Sequence, residues 1–297
     1  MTETIVISHF GHTAEVDPAY GGRITRFYTE RDGREIDWFQ PTPPEGRDKL
    51  APLSTGCYPL APFSNRIENA SLSFDGSNHH LAATPGFEPH AIHGDGWRVA
   101  WQVMEKLPRS ARIYHTHAAE NGWPFAYMVM QDVMLDDDGL LVTMAILNTG
   151  KVPMPAGLGL HPYFRRAPDT RLTVSLGTIW PPENGPIPKS SADLPAELDF
   201  SAGRVVPDGL DTCFGGWTGP ARIDWPDTGD ALSIETQGPV EHAVIYTPEG
   251  RDHFCFEPVS HVIDGFNLAA AGMENTGSFT LGPDETLSVT VRFRPVT

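Results

Sequence analysis

Cysteine is scarce in this chain. Cys57, Cys213 and Cys255 are the three present, an odd number at wide spacing. That pattern excludes a disulfide framework and a CxxC zinc ribbon, and leaves small buried hydrophobes in a reducing compartment. Long apolar runs are missing as well. The longest, Leu140 to Leu147, falls far short of the roughly 20 residues that span a bilayer, and the N-terminal MTETIVISHFGHTAEV has neither the basic start nor the apolar stretch of a secretion signal. The expectation is a cytoplasmic protein with no membrane partner. Positive charge is short too: 21 Lys and Arg stand against 38 Asp and Glu, a formal net charge of -17. Without a basic cluster, a nucleic acid is excluded as partner. GxGxxG and GxxxxGK[ST] loops are absent, and so are amphipathic helices of ten or more residues, which removes dinucleotide and P-loop nucleotide sites.

What is there reads as strands. Leu287, Val289, Val291 and Phe293 alternate with Ser288, Thr290, Arg292 and Arg294, as in a half-buried strand. Ala111–Ala118 follows the same alternation more weakly. Val129–Leu135 and Leu140–Leu147 flank Asp136-Asp137-Asp138-Gly139, a hairpin signal in which Gly139 is free to take a positive φ. Spread through 297 residues, 29 Gly and 28 Pro cut the chain into short segments. Many short strands with frequent turns predict an all-β sandwich or barrel. The Pro-rich stretch Pro181–Pro195 has no composition change on either side. It is expected to be a surface loop within a single domain, residues 1–297.

Polar residues concentrate in a few Gly-, Pro- and aromatic-rich segments. His161 lies in Gly159-Leu160-His161-Pro162-Tyr163-Phe164, where the proline favours extended backbone. It is either a proton donor suited to neutral pH or a hydrogen-bonded core histidine. Glu257, in the apolar run that begins at His253, shares a strand face with Cys255. Burial there would raise its pKa toward that of a general base, with a salt bridge as the alternative. Arg66, after Asn65, offers a planar donor fork to hydroxyl or carboxylate oxygens. His90 and His93 have HxxH spacing with Asp95 nearby, a weak metal pattern because Gly94 and Gly96 argue for a loop. His115 and His117 share one strand face and read as solvated or packed. Trp97, Trp123 and Trp217 are candidates for stacking on a small molecule, or for core packing.

Together these segments resemble the aldose 1-epimerase (galactose mutarotase) family. Asn65-Arg66-Ile67, followed by Phe74-Asp75-Gly76, is similar to its NRI motif, and His93-Gly94 to its HG motif. Gly159 to Phe164 resembles its strongest motif, Leu210-Asp211 with Phe214 its short aspartate segment, and Phe256-Glu257-Pro258 with Asn267 downstream the segment around its base. The resemblance implies a large antiparallel β-sandwich of the galactose mutarotase type, acting on a monosaccharide without metal or other cofactor, as monomer or homodimer. It implies Glu257 as general base and His161 as general acid, and it places Arg66, His93, Asp211, Asn65 and Trp97 around the sugar. Against the family's pattern, the loops at Asp95–Trp97 and Gly215–Trp217 read as particular to a subgroup, so the sugar stays open. Arg165 and Arg166 could favour a 6-phosphorylated or 6-sulfonated hexose. A non-catalytic carbohydrate-binding protein on the same fold is the other alternative.

Overall fold

The computed structural model describes residues 3–43, 56–120 and 122–296. Two large sheets pack face to face. The larger has eleven strands, in spatial order Ile5–His9, His12–Asp17, Arg23–Arg31, Cys57–Leu60, Gly159–Arg165, His253–Val259, His242–Tyr246, Asp211–Gly215, Thr178–Trp180 and Ala192–Asp193, with Arg34–Asp37 paired to Arg23–Arg31 off this path. The second has nine: Gln102–Leu107, Ser110–His117, Tyr127–Asp136, Gly139–Asn148, Thr286–Val296, Asp230–Gln237, Thr218–Trp225, Arg171–Ser175 and Arg204–Val205. The pairings within both sheets are antiparallel, and the fold is the expected all-β sandwich.

Local chemistry explains the elements. Tyr127–Asp136 and Gly139–Asn148 form the predicted hairpin, closed where Asp136 faces Gly139. Gly139 has φ +130°, and a Cβ there would lie 2.5 Å from the Phe293 carbonyl oxygen, so only glycine fits. In Thr286–Val296 the residues Leu287, Val289, Val291 and Phe293 are buried, as their alternation predicts. They meet the larger sheet in one core, where the Phe293 ring stands edge-on to Phe39 at 4.8 Å.

The larger sheet is covered on both faces. Phe254 and Phe256 of one strand join the core between the sheets, while Cys255 and Val259 join a second apolar cluster with Tyr58, Trp97 and Tyr163. Strand alternation sends these two sets to opposite sides. The Pro181–Pro195 stretch departs in part from a plain loop. Ala192–Asp193 adds an edge strand to Thr178–Trp180, and Ile187 is buried in the second cluster. Among the described residues one short α-helix occurs, Gly265–Ala270, and no helix is long and apolar enough to cross a membrane.

Candidate active site

Register alone brings the first pair of groups together. Gly159 faces Val259 and Tyr163 faces Cys255 across neighbouring antiparallel strands, so His161 and Glu257 hold facing positions on the same side of the sheet. His161 Nε2 lies 3.3 Å from Glu257 Oε1. Both residues are buried, 5% and 1% exposed. On the other flank His161 faces Tyr58, whose ring stacks on it at 4.4 Å, and the Tyr163 ring stacks at 4.9 Å. Asp211 enters from the same sheet, opposite Tyr246, which in turn faces Cys255.

Two loops complete the wall. Asn65 has φ +55°, and its Oδ1 accepts hydrogen bonds from the backbone N–H of Arg66 (2.9 Å) and from Arg66 Nη1 (3.1 Å). Arg66 Nη1 also reaches Asp211 Oδ2 at 3.3 Å. The second loop zips onto the first: His93 N–H donates to the Asn65 carbonyl, and Asn65 N–H donates to His93 Nδ1 at 3.0 Å. Because Nδ1 accepts, the remaining proton of a neutral His93 sits on Nε2. Gly94 follows with φ +67°, and a Cβ there would lie 2.3 Å from the Ala61 carbonyl oxygen, which explains the glycine after His93. Trp97 closes the loop against Tyr58, stacked at 5.7 Å.

These walls enclose a cavity of about 120 Å³. Asn65, Arg66, His93, Trp97, His161, Asp211 and Glu257, the seven residues that the family resemblance places at the site, all line it. Tyr58, Phe87, Ile92, Tyr163 and Tyr246 line it as well and were not singled out. Tyr163 carried a signal, since it lies two residues from His161 on the same strand face; the others gave none locally.

Electrostatics follow from burial. Glu257 is pushed well above the usual carboxylate range, first by loss of solvent and then by the Asp211 charge, with Arg66 opposing. Burial pushes His161 down to about 3. His93 is held well below its ordinary value by burial, reinforced by His161 and Arg66. The two shifts run in opposite directions, so a proton shared by the His161–Glu257 pair rests on the carboxyl group rather than on the imidazole. Glu257 Oε2 is buried with no hydrogen-bond partner among the described residues.

Elsewhere the structure decides between alternatives that the sequence left open. Trp123 and Trp217 belong to the core between the sheets, where Trp123 packs on Phe63 and Trp217 stands edge-on to Phe256. Arg165 is bidentate to Asp227 (2.7 and 2.8 Å), and Arg166 pairs with Asp208 at 2.8 Å; neither lines the cavity. The HxxH pair does not converge. His90 Nδ1 accepts from the Asn69 N–H, while His93 faces the cavity and Asp95 turns to His115 and His117. Asn267 is a staple: it accepts from the Ser73 N–H and donates to the Ser71 carbonyl and to Asp264. At the cavity wall, His161 and Glu257 hold donor atoms within 4.8 Å of one another and of the buried Cys255 thiol behind them. Burial keeps the Cys255 thiol protonated, which suits packing better than metal ligation.

Residues 3–294 match the family model described as aldose 1-epimerase. The uncharacterized protein YphB of Escherichia coli K12 is 31% identical over 246 residues, which cover 79% of this chain and 84% of that protein. The crystal structure of a candidate aldose 1-epimerase from Escherichia coli K12 superposes with a TM-score of 0.87 at 28% identity, covering 99% of both chains. A galactose mutarotase-like protein from Clostridium acetobutylicum also reaches 0.87, at 18% identity over 98% of this chain and 94% of that one, a likeness of fold alone.

Proposed function

The chain belongs to the aldose 1-epimerase family, and from that premise we propose that it is a mutarotase, a single cytoplasmic domain over residues 1–297 that interconverts the α and β anomers of an aldose. The observation that carries this reading is the buried carboxyl group of Glu257, with one oxygen 3.3 Å from His161 and the other without a partner, on the wall of the cavity.

The chemistry requires two proton transfers. Glu257, as carboxylate, takes the proton of the C1 hydroxyl while protonated His161 gives one to the ring oxygen O5. The C1–O5 bond breaks and an open-chain aldehyde forms. Rotation about C1–C2 presents the other carbonyl face to the C5 hydroxyl, and closure reverses both transfers. Each positioned acid or base contributes about 10²–10⁴-fold. No atom is gained or lost, so the pair ends each cycle with the single proton it began with. In the free protein that proton favours Glu257, and the 3.3 Å contact lets it pass to His161 when the sugar hydroxyl takes its place on the carboxylate. Arg66, Asp211 and the Nε2–H of His93 supply both donors and acceptors for sugar hydroxyls. Asn65 orients Arg66, and the Trp97, Tyr58 and Tyr246 rings give apolar wall. Arg165 and Arg166 are committed to aspartates, which leaves them no part in holding a 6-phosphate or 6-sulfonate.

The test is anomer exchange by NMR on glucose, galactose, arabinose, glucose 6-phosphate and sulfoquinovose. Exchange above the buffer rate for one or more of them, lost in His161→Ala and Glu257→Gln, is the expected result. Sugar binding with no acceleration would instead identify a carbohydrate-binding protein on this scaffold.

A further inference from the structure

We propose that Asp95, His115 and His117 form a binding site for one zinc ion, outside the catalytic cavity and behind the loop that carries His93 and Trp97. His115 and His117 are two apart on Ser110–His117 and therefore project to the same side. Asp95 comes to them from the loop. His117 Nδ1 lies 2.7 Å from Asp95 Oδ2, His115 Nε2 lies 3.6 Å from the same oxygen, and the three donor atoms fall within 4.8 Å of one another. Ligands bound at about 2.0–2.2 Å around a tetrahedral zinc are roughly 3–3.5 Å apart, so small side-chain adjustments suffice.

The surroundings are those of ligands held in place. His117 Nε2 lies 2.9 Å from the Trp123 carbonyl oxygen, which only accepts, so Nε2 carries a hydrogen and Nδ1 is the nitrogen turned to Asp95. The Tyr127 hydroxyl donates to the other Asp95 oxygen, Oδ1. His115 Nε2 is buried and makes no hydrogen bond among the described residues. Nδ1 of His117 and Oδ2 of Asp95 face each other at 2.7 Å, with His115 Nε2 beside them. A zinc ion in that position takes both lone pairs and adds the unused one of His115. An open groove of about 410 Å³, shared with Arg98, Thr116 and Glu120, gives entry and room for water as a fourth ligand. Arg98 facing the same groove disfavours hard cations that rely on charge and oxygen donors, whereas two imidazoles suit zinc.

The ion takes no part in the proton transfers proposed above. It ties the loop between His93 and Trp97 to the edge of the second sheet. The experiment uses the full chain, stripped by a chelator and titrated with zinc chloride by calorimetry, with cobalt(II) absorption as a second probe. One zinc per chain is expected, with a dissociation constant in about the micromolar range or tighter. It should be weakened at least about tenfold by His115→Ala, a variant that keeps the His117–Asp95 contact and hence the loop. Zinc should also raise the melting temperature of the wild type and not that of His115→Ala. His161→Ala should bind as the wild type does. The proposal is overturned if folded wild type takes up no zinc, if binding survives His115→Ala undiminished, or if it is lost in His161→Ala, which would place the ion in the catalytic cavity.

Discussion

Two surfaces grow from the same backbone in Gly159–Arg165 and His253–Val259. One presents Leu160, Phe164, Phe254 and Phe256 to the core between the sheets; the other, one residue out of step, presents His161, Tyr163, Cys255 and Glu257. Depth does not separate them, since none of these eight residues is more than 5% exposed. What differs is hydrogen bonding. The core face has no side-chain polar atoms to satisfy, whereas the other face leaves Glu257 Oε2 buried without a partner. Such a group costs about 1–3 kcal/mol, a cost that packing on the opposite face offsets. Unmet hydrogen bonding at equal burial is thus the mark that separates the site from the core.

The largest effect should come from the polar face. Glu257→Gln and His161→Ala are each expected to slow enzymatic anomer exchange by about 10²–10⁴-fold. Their melting temperatures should stay near or above that of the wild type, because each change relieves a buried titratable group. A melting transition lowered in step with activity would mean that the polar face supports the fold rather than the chemistry. The core face should answer in the opposite way. Phe256→Ala, one residue from Glu257, removes a ring packed edge-on against Trp217 at 5.0 Å and should cost about 3–5 kcal/mol in chemical denaturation. Exchange per folded molecule, measured at low temperature, should remain close to that of the wild type. If it collapses while the protein is folded, the two faces are coupled and the comparison fails.

A pH profile sharpens the account of the polar face. Burial sets His161 down to about 3 and Glu257 well above the usual carboxylate range. Below about pH 3 the pair gains a second proton and loses its base; only above the raised pKa of Glu257 does it lose its last proton and its acid. Between these limits it holds one, so kcat/KM should show no acid limb in the ordinary histidine range. An acid limb centred near about 6.5 would show His161 titrating by itself and would sink the shared-proton scheme.

The two faces also differ in how far they could be read from the sequence. Core strands announce themselves locally: Leu287 to Phe293 and the hairpin closed at Gly139 depend on alternation and one turn. The seven cavity residues were legible because they sit in short motifs of unusual composition and resemble a known family in order. The aromatic wall was not. Tyr58 meets His161 only through pairing between strands about a hundred residues apart, and no local pattern states which strands pair. For the same reason Trp123 and Trp217 could not be told from Trp97, and Asp95 was set beside His90 and His93 in place of His115 and His117.

Asp264 offers the smallest and most exacting test of the contrast, because it shares the burial of Glu257 without its isolation. It is 4% exposed, yet its Oδ1 accepts from the Glu68 N–H at 3.0 Å and from Asn267 Nδ2 at 2.7 Å. Burial raises its pKa to about 6 from 3.8, with those two hydrogen bonds and Lys189 opposing the rise and the Glu68 charge adding to it. A carboxyl group whose folded pKa is raised contributes stability that is complete below its unfolded pKa and is lost as pH rises through the folded one. Wild-type stability should therefore fall, relative to Asp264→Asn, between about pH 4 and 6 and run parallel to it above. The gap should be on the order of 2–3 kcal/mol at most. Asparagine keeps an acceptor for both donors and tolerates the φ of +57° at this position. Anomer exchange should change little, since among the described residues the hydrogen bond of Asp264 to a cavity residue is the one from its backbone N–H to the Arg66 carbonyl. Chemical denaturation at pH 4 and pH 8 reads the first effect, and exchange NMR at pH 7 the second. A large loss of exchange in Asp264→Asn with an unchanged pH dependence of stability would show that burial in the fold does not raise this group, and that the line between satisfied and unsatisfied carboxylates has been drawn in the wrong place.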